Sequence, residues 1–143
     1  MIENINQADI GRAMKLTRMS VSRLMRSLNR EAFPLSESDI LKALLVKEIQ
    51  KLGFTINVAI ELLLEVDSEF RYLLNSPDNL CWIIFVEQEG KRSFRLTALN
   101  QAQLSAMTDC IRLGLVMPLH RLLEDARAVL ADIQADKARR AAA

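Results

Sequence analysis

The sequence has little of what metal-binding, secreted and membrane proteins depend on. Its 143 residues include two cysteines and one histidine, and Cys81 and Cys110 lie too far apart to form a CxxC pair. Neither a disulfide framework nor a closed zinc site is therefore expected. Apolar runs such as Leu80 to Val86 are far shorter than the roughly 20 residues of a membrane helix, and no basic stretch leads into an apolar N-terminal core. We expect a cytoplasmic protein that does not bind a membrane.

Motifs of catalysis and of cofactor binding are also missing. The sequence contains no glycine-rich phosphate loop, no cluster of metal ligands and no nucleophile paired with a recognisable base. We therefore predict that the protein is not an enzyme and has no cofactor. Half of the residues are hydrophobic and 26% are charged, a balance typical of a chain that folds throughout.

The overall charge of +1 conceals a separation of sign along the chain. Residues 1–30 carry six Lys or Arg against two acids, which gives +4, whereas residues 31–89 carry −7 and residues 90–143 carry +4. A basic segment at the start of an otherwise nearly neutral chain indicates a local surface for a polyanion.

The first thirty residues have the pattern of a helix-turn-helix. Apolar spacing predicts a short helix over Ala8 to Met14 and a second helix that begins near Arg18. Two helices that cross steeply need a small residue where they touch, and Gly11 stands at that position. Val21 and Leu24 are predicted to anchor the second helix, which leaves a polar face without acids on the outside.

This outer face is the candidate DNA-binding site, because its residue types donate to phosphates and base edges or press on a thymine methyl group. Residues near the N-terminal half of the second helix, such as Arg23, are expected to read bases. Residues on its flanks, such as Arg30, are expected to contact phosphates. The predicted DNA-binding residues are Arg12, Lys15, Thr17, Arg18, Met19, Ser20, Ser22, Arg23, Arg26 and Arg30.

The segment from Gln7 to Leu24 resembles the helix-turn-helix of bacterial and phage regulators, most specifically in the string from Leu16 to Ser22. The following segments, Leu35 to Ile40 and Leu52 to Leu63, look like the helix pair that comes after the wing in MerR-type regulators. Over residues 1–66 the resemblance implies a winged-helix, MerR-like head that binds double-stranded DNA. The sequence departs from that family in its short wing, for which only Asn29 to Leu35 is available, and in having no long dimerisation helix of the usual kind.

The rest of the chain is predicted to be mainly α-helical with one β-hairpin. Ser36 and Asp39 mark the start of a helix that stops at Gly53, and Thr55 is predicted to cap the next helix. The turn-forming run from residue 75 to residue 79 places a boundary between a DNA-binding domain, 1–74, and a dimerisation or regulatory region, 75–143. This region begins with a hairpin over residues 80–97. A helix from Asn100 through Leu115 and a last helix from Pro118 follow.

A stripe of apolar residues on the last helix is the predicted dimer interface, although the same residues suit packing on the chain's own hairpin. The stripe consists of Leu119, Leu122, Leu123, Ala126, Leu130 and Ile133. We therefore expect a transcriptional regulator, in its simplest form a repressor, that binds a palindromic operator as a homodimer. Nothing in the sequence indicates a small-molecule or protein effector.

Several features also allow other interpretations. The alternative function is a protein-interaction module or adaptor in which the basic head is accessory. Trp82, Phe85 and Phe94 suit either a small ligand pocket or the core of the hairpin. The cysteines suit either a sensor or, more ordinarily, small buried hydrophobes. His120 has neighbours that predict a solvated surface position.

Overall fold

The computed structural model describes residues 5–29, 34–88 and 91–143. Within these ranges it contains seven helices and one three-stranded antiparallel sheet, which confirms the prediction of a mainly helical protein with a small β component. The elements are α1 (Gln7–Met14), α2 (Arg18–Ser27), α3 (Glu37–Gln50), α4 (Ile56–Glu65), α5 (Asp67–Asn75), β1 (Trp82–Gln88), β2 (Lys91–Ala98), α6 (Gln101–Asp109), β3 (Gly114–Pro118) and α7 (Leu119–Ala142).

The chain divides into two compact units, and the division differs from the predicted boundary after residue 74. The helical unit consists of Met1–Glu65 together with Leu122–Ala143, and the sheet unit consists of Val66–Arg121. Helix α5 thus belongs with the sheet, and most of α7 belongs with the N-terminal helices. A turn-rich segment marks a break between elements, whereas membership of a unit depends on which surfaces bury each other.

Side-chain caps begin the helices of the helical unit. Thr17 Oγ1 accepts a hydrogen bond from the backbone N–H of Ser20, and Ser36 and Asp39 form a reciprocal capping box. Thr55 Oγ1 accepts from the N–H of Val58. The predicted helix starts at these positions are confirmed, because each cap satisfies a backbone donor that the first helical turn leaves unpaired.

The core of the helical unit follows the predicted helical spacing. The inward-facing apolar side chains of α1, α2 and α3 are almost completely buried, and Gly53 has the positive φ of 106° that suits a glycine after a helix end. The largest of these side chains are Ile10, Met14, Leu24, Met25, Ile40, Leu41, Leu44, Leu45 and Ile49.

The sheet has the strand order β2-β1-β3, with both neighbours antiparallel to β1. The hairpin of β1 and β2 is confirmed, but the predicted helix through Leu115 is wrong. Helix α6 begins as predicted at its cap Asn100 and ends at Asp109, and residues 114–118 form β3. Pro118, predicted to start the last helix, is the last residue of β3. A short apolar run suits helix or strand, and the pairing of β3 with β1 decides between them.

Long-range polar contacts connect the elements of the sheet unit. Glu69 on α5 accepts a hydrogen bond from Thr97 Oγ1 at 3.1 Å and forms an ion pair with Arg95 at 3.3 Å, both on β2. Trp82 and Phe85 on β1 are buried. Their burial supports the interpretation of these aromatic residues as hairpin core. In the described part of the chain, no helix is both long and apolar enough to cross a membrane.

Candidate nucleic-acid interface

The crossing of α1 and α2 depends on Gly11. A Cβ atom at this position would lie 3.1 Å from Cγ2 of Val21 and 3.2 Å from the carbonyl oxygen of Leu16. These distances are shorter than ordinary van der Waals contacts, so a side chain at this position would push Val21 and the Leu16 carbonyl away by a few tenths of an ångström, whereas glycine lets the two helices approach this closely. The predicted role of Gly11 as the small residue of the crossing is confirmed.

A tight turn joins the two helices. Lys15 has left-handed backbone angles, with φ 56°, and its N–H donates to the carbonyl of Arg12. The N–H of Leu16 donates to the carbonyl of Gly11 at 2.9 Å. This αL ending satisfies the carbonyl groups of Gly11 and Arg12 and turns the chain within three residues, which brings Thr17 to the start of α2.

The start of α2 presents a surface suited to a phosphate. Thr17 is exposed, and its hydroxyl both accepts from the N–H of Ser20 and lies 2.9 Å from the Ser20 hydroxyl oxygen. The N-terminal end of a helix carries a partial positive charge, and no acidic residue occupies the first turn of α2. Helix dipole and side chains therefore favour an anion at this end.

The outer face of α2 is exposed and basic. Arg18, Arg23 and Arg26 are exposed, Met19 is 66% exposed, and Ser20 and Ser22 are half-buried beside them. Nη2 of Arg23 lies 3.7 Å from Sδ of Met19, one helical turn away. The sequence from residue 10 to residue 29 contains no Asp or Glu, so no acid within this stretch competes with a polyanion for these cations.

Arg12 on α1 and Lys15 in the turn after α1 are the further cations near this face. Both are exposed, but Arg12 forms an ion pair with the buried Asp9, so part of its charge is compensated within the chain. Arg30 lies outside the described residues, as does most of the proposed wing segment 29–35. The structure thus brings nine of the ten predicted DNA-binding residues to α1, α2 and the turn that joins them.

Asp9 anchors α1 beside the candidate interface, and the sequence gives no sign of its long-range contact. Its carboxylate accepts from the N–H of Asn6 at 2.9 Å and from Nζ of Lys137 on α7 at 2.8 Å, in addition to pairing with Arg12. Burial alone would raise the pKa of Asp9, but the hydrogen bonds from Lys137 and Asn6 and the charges of Lys137 and Arg12 lower it below its ordinary value. The Asn6-to-Asp9 spacing is a local capping signal. Nothing local signals Lys137, 128 residues away.

The predicted dimer stripe on α7 is not available to a second copy. All six of its side chains are buried within a single chain, and ion pairs from Lys137 to Asp9 and from Arg127 to Glu37 hold α7 along α1 and α3. The prediction is wrong because one apolar helix face suits either an intramolecular or an intermolecular neighbour. The buried residues are Leu119, Leu122, Leu123, Ala126, Leu130 and Ile133.

An open groove of about 420 Å³ lies between α1 and α7 in the helical unit. Four of its five charged residues form two ion pairs, Arg12 with Asp9 and Arg140 with Asp136. At these pairs the groove has no excess charge of one sign that would select a charged effector. Its lining residues are Asp9, Arg12, Ala13, Val129, Asp132, Ile133, Asp136 and Arg140.

Cys81 and His120 have structural surroundings. Burial, assisted by the charge of Glu69 and opposed by that of Arg95, raises the pKa of the Cys81 thiol to about 12, which makes it a poor nucleophile. The backbone N–H of Cys81 lies 3.2 Å from Nδ1 of His120, whose ring contacts Trp82 edge-on. His120 is thus half-buried rather than solvated. Within the described ranges no three His, Cys, Asp or Glu side chains cluster as metal ligands.

Comparison with protein-family models and with curated proteins finds no match to this chain. The chemistry of the site itself is therefore the basis for assigning a function. Its chemistry is that of a rigidly held helix offering guanidinium groups, hydroxyl groups and a positive helix end on one exposed face. Such a face is suited to bind a polyanion whose backbone and edges accept hydrogen bonds.

Proposed function

We propose that this protein is a sequence-specific, double-stranded DNA-binding regulator of transcription that acts in the cytoplasm and is not an enzyme. Its head is a helix-turn-helix, MerR-like over residues 1–66, and α2 is the recognition helix. The observation that carries the proposal is the exposed, acid-free outer face of α2, combined with the close approach at Gly11 that holds α2 against α1. A helix held this way presents its N-terminal half to the major groove.

The exposed side chains divide into two roles. Residues near the start of α2 meet base edges: an arginine grips guanine with two parallel hydrogen bonds, and Met19 packs on a thymine methyl group. The flanking cations meet phosphates and release counterions, so their contribution is independent of sequence and sensitive to salt. The proposed base-reading residues are Arg18, Met19, Ser22 and Arg23, and the proposed phosphate contacts are Arg12, Lys15, Arg26 and Arg30.

A homodimer follows from the size of the site. One recognition helix makes too few contacts for tight specific binding, whereas two helices about 34 Å apart read two half-sites of a palindrome together. A protein bound across a promoter blocks polymerase without a further surface, so repression is the simplest action for this architecture. Neither step requires a cofactor.

The test separates the two roles on duplexes selected from a random pool by the full-length protein. Arg23→Ala is expected to lower affinity for the selected duplex by about 1 to 3 kcal/mol and affinity for a scrambled duplex far less. Arg26→Ala is expected to lower both affinities alike and to reduce the salt slope by about one unit. Titrations at several salt concentrations measure both effects.

Arg121→Ala is the matched control, since Arg121 is an exposed arginine that belongs to the sheet unit and not to the helical unit. It is expected to leave both affinities and the salt slope unchanged. If Arg23→Ala and Arg26→Ala behave like this control while their circular dichroism matches the unaltered protein, α2 is not a reading head. The protein-interaction module then becomes the better interpretation.

A further inference from the structure

The two edges of the sheet differ in how they are protected. On one edge, β2 lies next to α6 and its sequence carries Lys91, Arg92 and Arg95. On the other edge, β3 has no charged residue, and Leu115 and Val116 are 46% and 40% exposed. Charged residues, prolines and covering helices are the usual protections of an edge strand against pairing with another chain, and β3 has only a proline at its last position, Pro118. Of the two described edges, the β3 edge is the one without charged residues.

The hydrogen bonds of β3 alternate along the strand. Antiparallel pairing with β1 places Met117 opposite Ile83 and Leu115 opposite Phe85. The bonds at the two ends, from Glu87 N–H to the Leu113 carbonyl and from Leu119 N–H to the Cys81 carbonyl, show that the odd-numbered residues bond inward. In an antiparallel ladder the intervening residues direct their backbone groups away from the partner strand. Gly114, Val116 and Pro118 therefore direct theirs to the open edge.

The outward backbone groups of β3 are complementary to those of a second β3 strand that runs antiparallel to it. We propose that β3 pairs antiparallel with β3 of a second copy of this chain, with Val116 opposite the partner's Val116. In this register each Val116 N–H donates to the other Val116 carbonyl, and each Gly114 N–H donates to the partner's Pro118 carbonyl. Pro118 lacks an N–H, so the Gly114–Pro118 pairs at the two ends of the interface have one hydrogen bond each, and the Gly114 carbonyl there receives none from the partner strand.

The chemistry of β3 selects a second copy over a charged partner. A two-fold axis brings each residue near its own equivalent, which favours a segment without charge, because like charges directly opposite each other repel. Residues 114–118 are all uncharged, and pairing would cover the exposed Leu115 and Val116. The sheet then continues across both copies. The pairing involves no DNA, so its test stands apart from that of the proposed DNA binding.

The first experiment compares two lysine substitutions by sedimentation equilibrium of the full-length chain without DNA. Val116→Lys places two lysines on directly paired residues, whose Cα atoms are about 5.5 Å apart across the two-fold axis, and we expect the dimer dissociation constant to rise by about a hundredfold. Leu99→Lys is the matched control, since Leu99 is 39% exposed, like Val116, but lies outside β3, and it should leave the constant unchanged. A monomeric unaltered protein at about 10 µM, or a dimer that survives Val116→Lys, overturns the proposal.

The second experiment tests the register by cross-linking and does not depend on disrupting the fold. In a Cys110→Ser background, which removes the exposed native thiol, Val116→Cys is expected to form an intermolecular disulfide under mild oxidation, because paired residues about 5.5 Å apart at Cα are within disulfide range. Leu113→Cys is the control, since Leu113 and its equivalent would lie about 20 Å apart in this register. Equal or faster cross-linking at residue 113, or none at residue 116, contradicts the proposal.

Discussion

The helical unit and the sheet unit obtain their structures in different ways. In the helical unit, caps such as Thr17 and Ser36 and regular apolar spacing define each helix from neighbouring residues. In the sheet unit, β3 exists through pairing with β1 about thirty residues earlier, and α5 is tied to β2 by Glu69. Their surfaces differ as well: the helical unit presents a basic helix face, and the sheet unit an apolar strand edge. We infer a division of labour, with DNA recognition in the first unit and self-association in the second.

Among the substitutions that test this division, the largest effect on stability and on DNA binding is expected at the crossing of α1 and α2. Gly11→Val places branched carbons against Val21 Cγ2 and the Leu16 carbonyl, and we expect it to lower the free energy of unfolding by about 3 kcal/mol and to abolish DNA binding. Ala13→Val is the control, because Ala13 is exposed on the same helix and its loss of helix propensity is only about 0.5 kcal/mol. Urea denaturation checks both values. Equal losses in the two variants would show that the crossing tolerates a side chain.

A smaller effect is expected at Asp9, which connects α1 to α7. Asp9→Asn keeps the size but loses the charge that Lys137 and Arg12 contact, and we expect a loss of about 1 to 3 kcal/mol in the free energy of unfolding at pH 7. Burial opposes ionisation of Asp9, but its hydrogen bonds and cationic neighbours prevail and lower its pKa from 3.8, so the folded state favours the carboxylate. This stabilisation is present above the unfolded pKa and is lost as the pH falls through the lower folded pKa.

The pH dependence of this effect distinguishes charge from shape. We expect the difference in unfolding free energy between the unaltered protein and Asp9→Asn to be constant from pH 7 to about 5 and to shrink as the pH falls below about 4. Denaturation curves at each pH measure it. A difference that is independent of pH down to 2 would mean that the asparagine is tolerated poorly for steric reasons and that the charge contributes nothing.

The smallest effect is expected at Lys15, where one substitution should change stability and DNA affinity in opposite directions. Lys15 has φ 56°, so Lys15→Gly is expected to raise the free energy of unfolding by about 0.5 to 1 kcal/mol. The same change removes a proposed phosphate contact, so DNA affinity should fall on all sequences and the salt slope should decrease by about one unit. Asn29→Gly, also at φ 56°, changes no charge and should preserve the salt slope. If both variants alter DNA binding equally, the charge of Lys15 is not the cause.

Much of the helical unit and of the candidate interface is predictable from the sequence. Ser36 with Asp39 and Thr55 are signals within one helical turn, and Gly11 is the small residue that a close crossing requires. The order of types along Thr17 to Arg26 places the polar residues and Met19 outside and the other apolar residues inside. These inferences succeed because the interactions that carry them connect residues three or four positions apart.

Other features have no local signal. The predicted helix through Leu115 failed because a short apolar run is compatible with both a helix and a strand, and the register with β1 decides the outcome. The apolar stripe of α7 was predicted to be a dimer interface, but a single chain already buries it, because apolar spacing suits either packing. The open edge of β3 takes its place as the proposed surface for self-association.

The sequence by itself determined where most helices begin, the small residue at the α1–α2 crossing and the basic, acid-free character of the α2 face, since each depends on neighbouring residues or on composition. The tertiary structure alone decided the third strand, the return of α7 to the N-terminal helices and the contact of Lys137 with Asp9. These depend on which of several compatible surfaces meet after collapse. That choice is governed by burial and pairing between residues far apart in the chain, which no local pattern specifies.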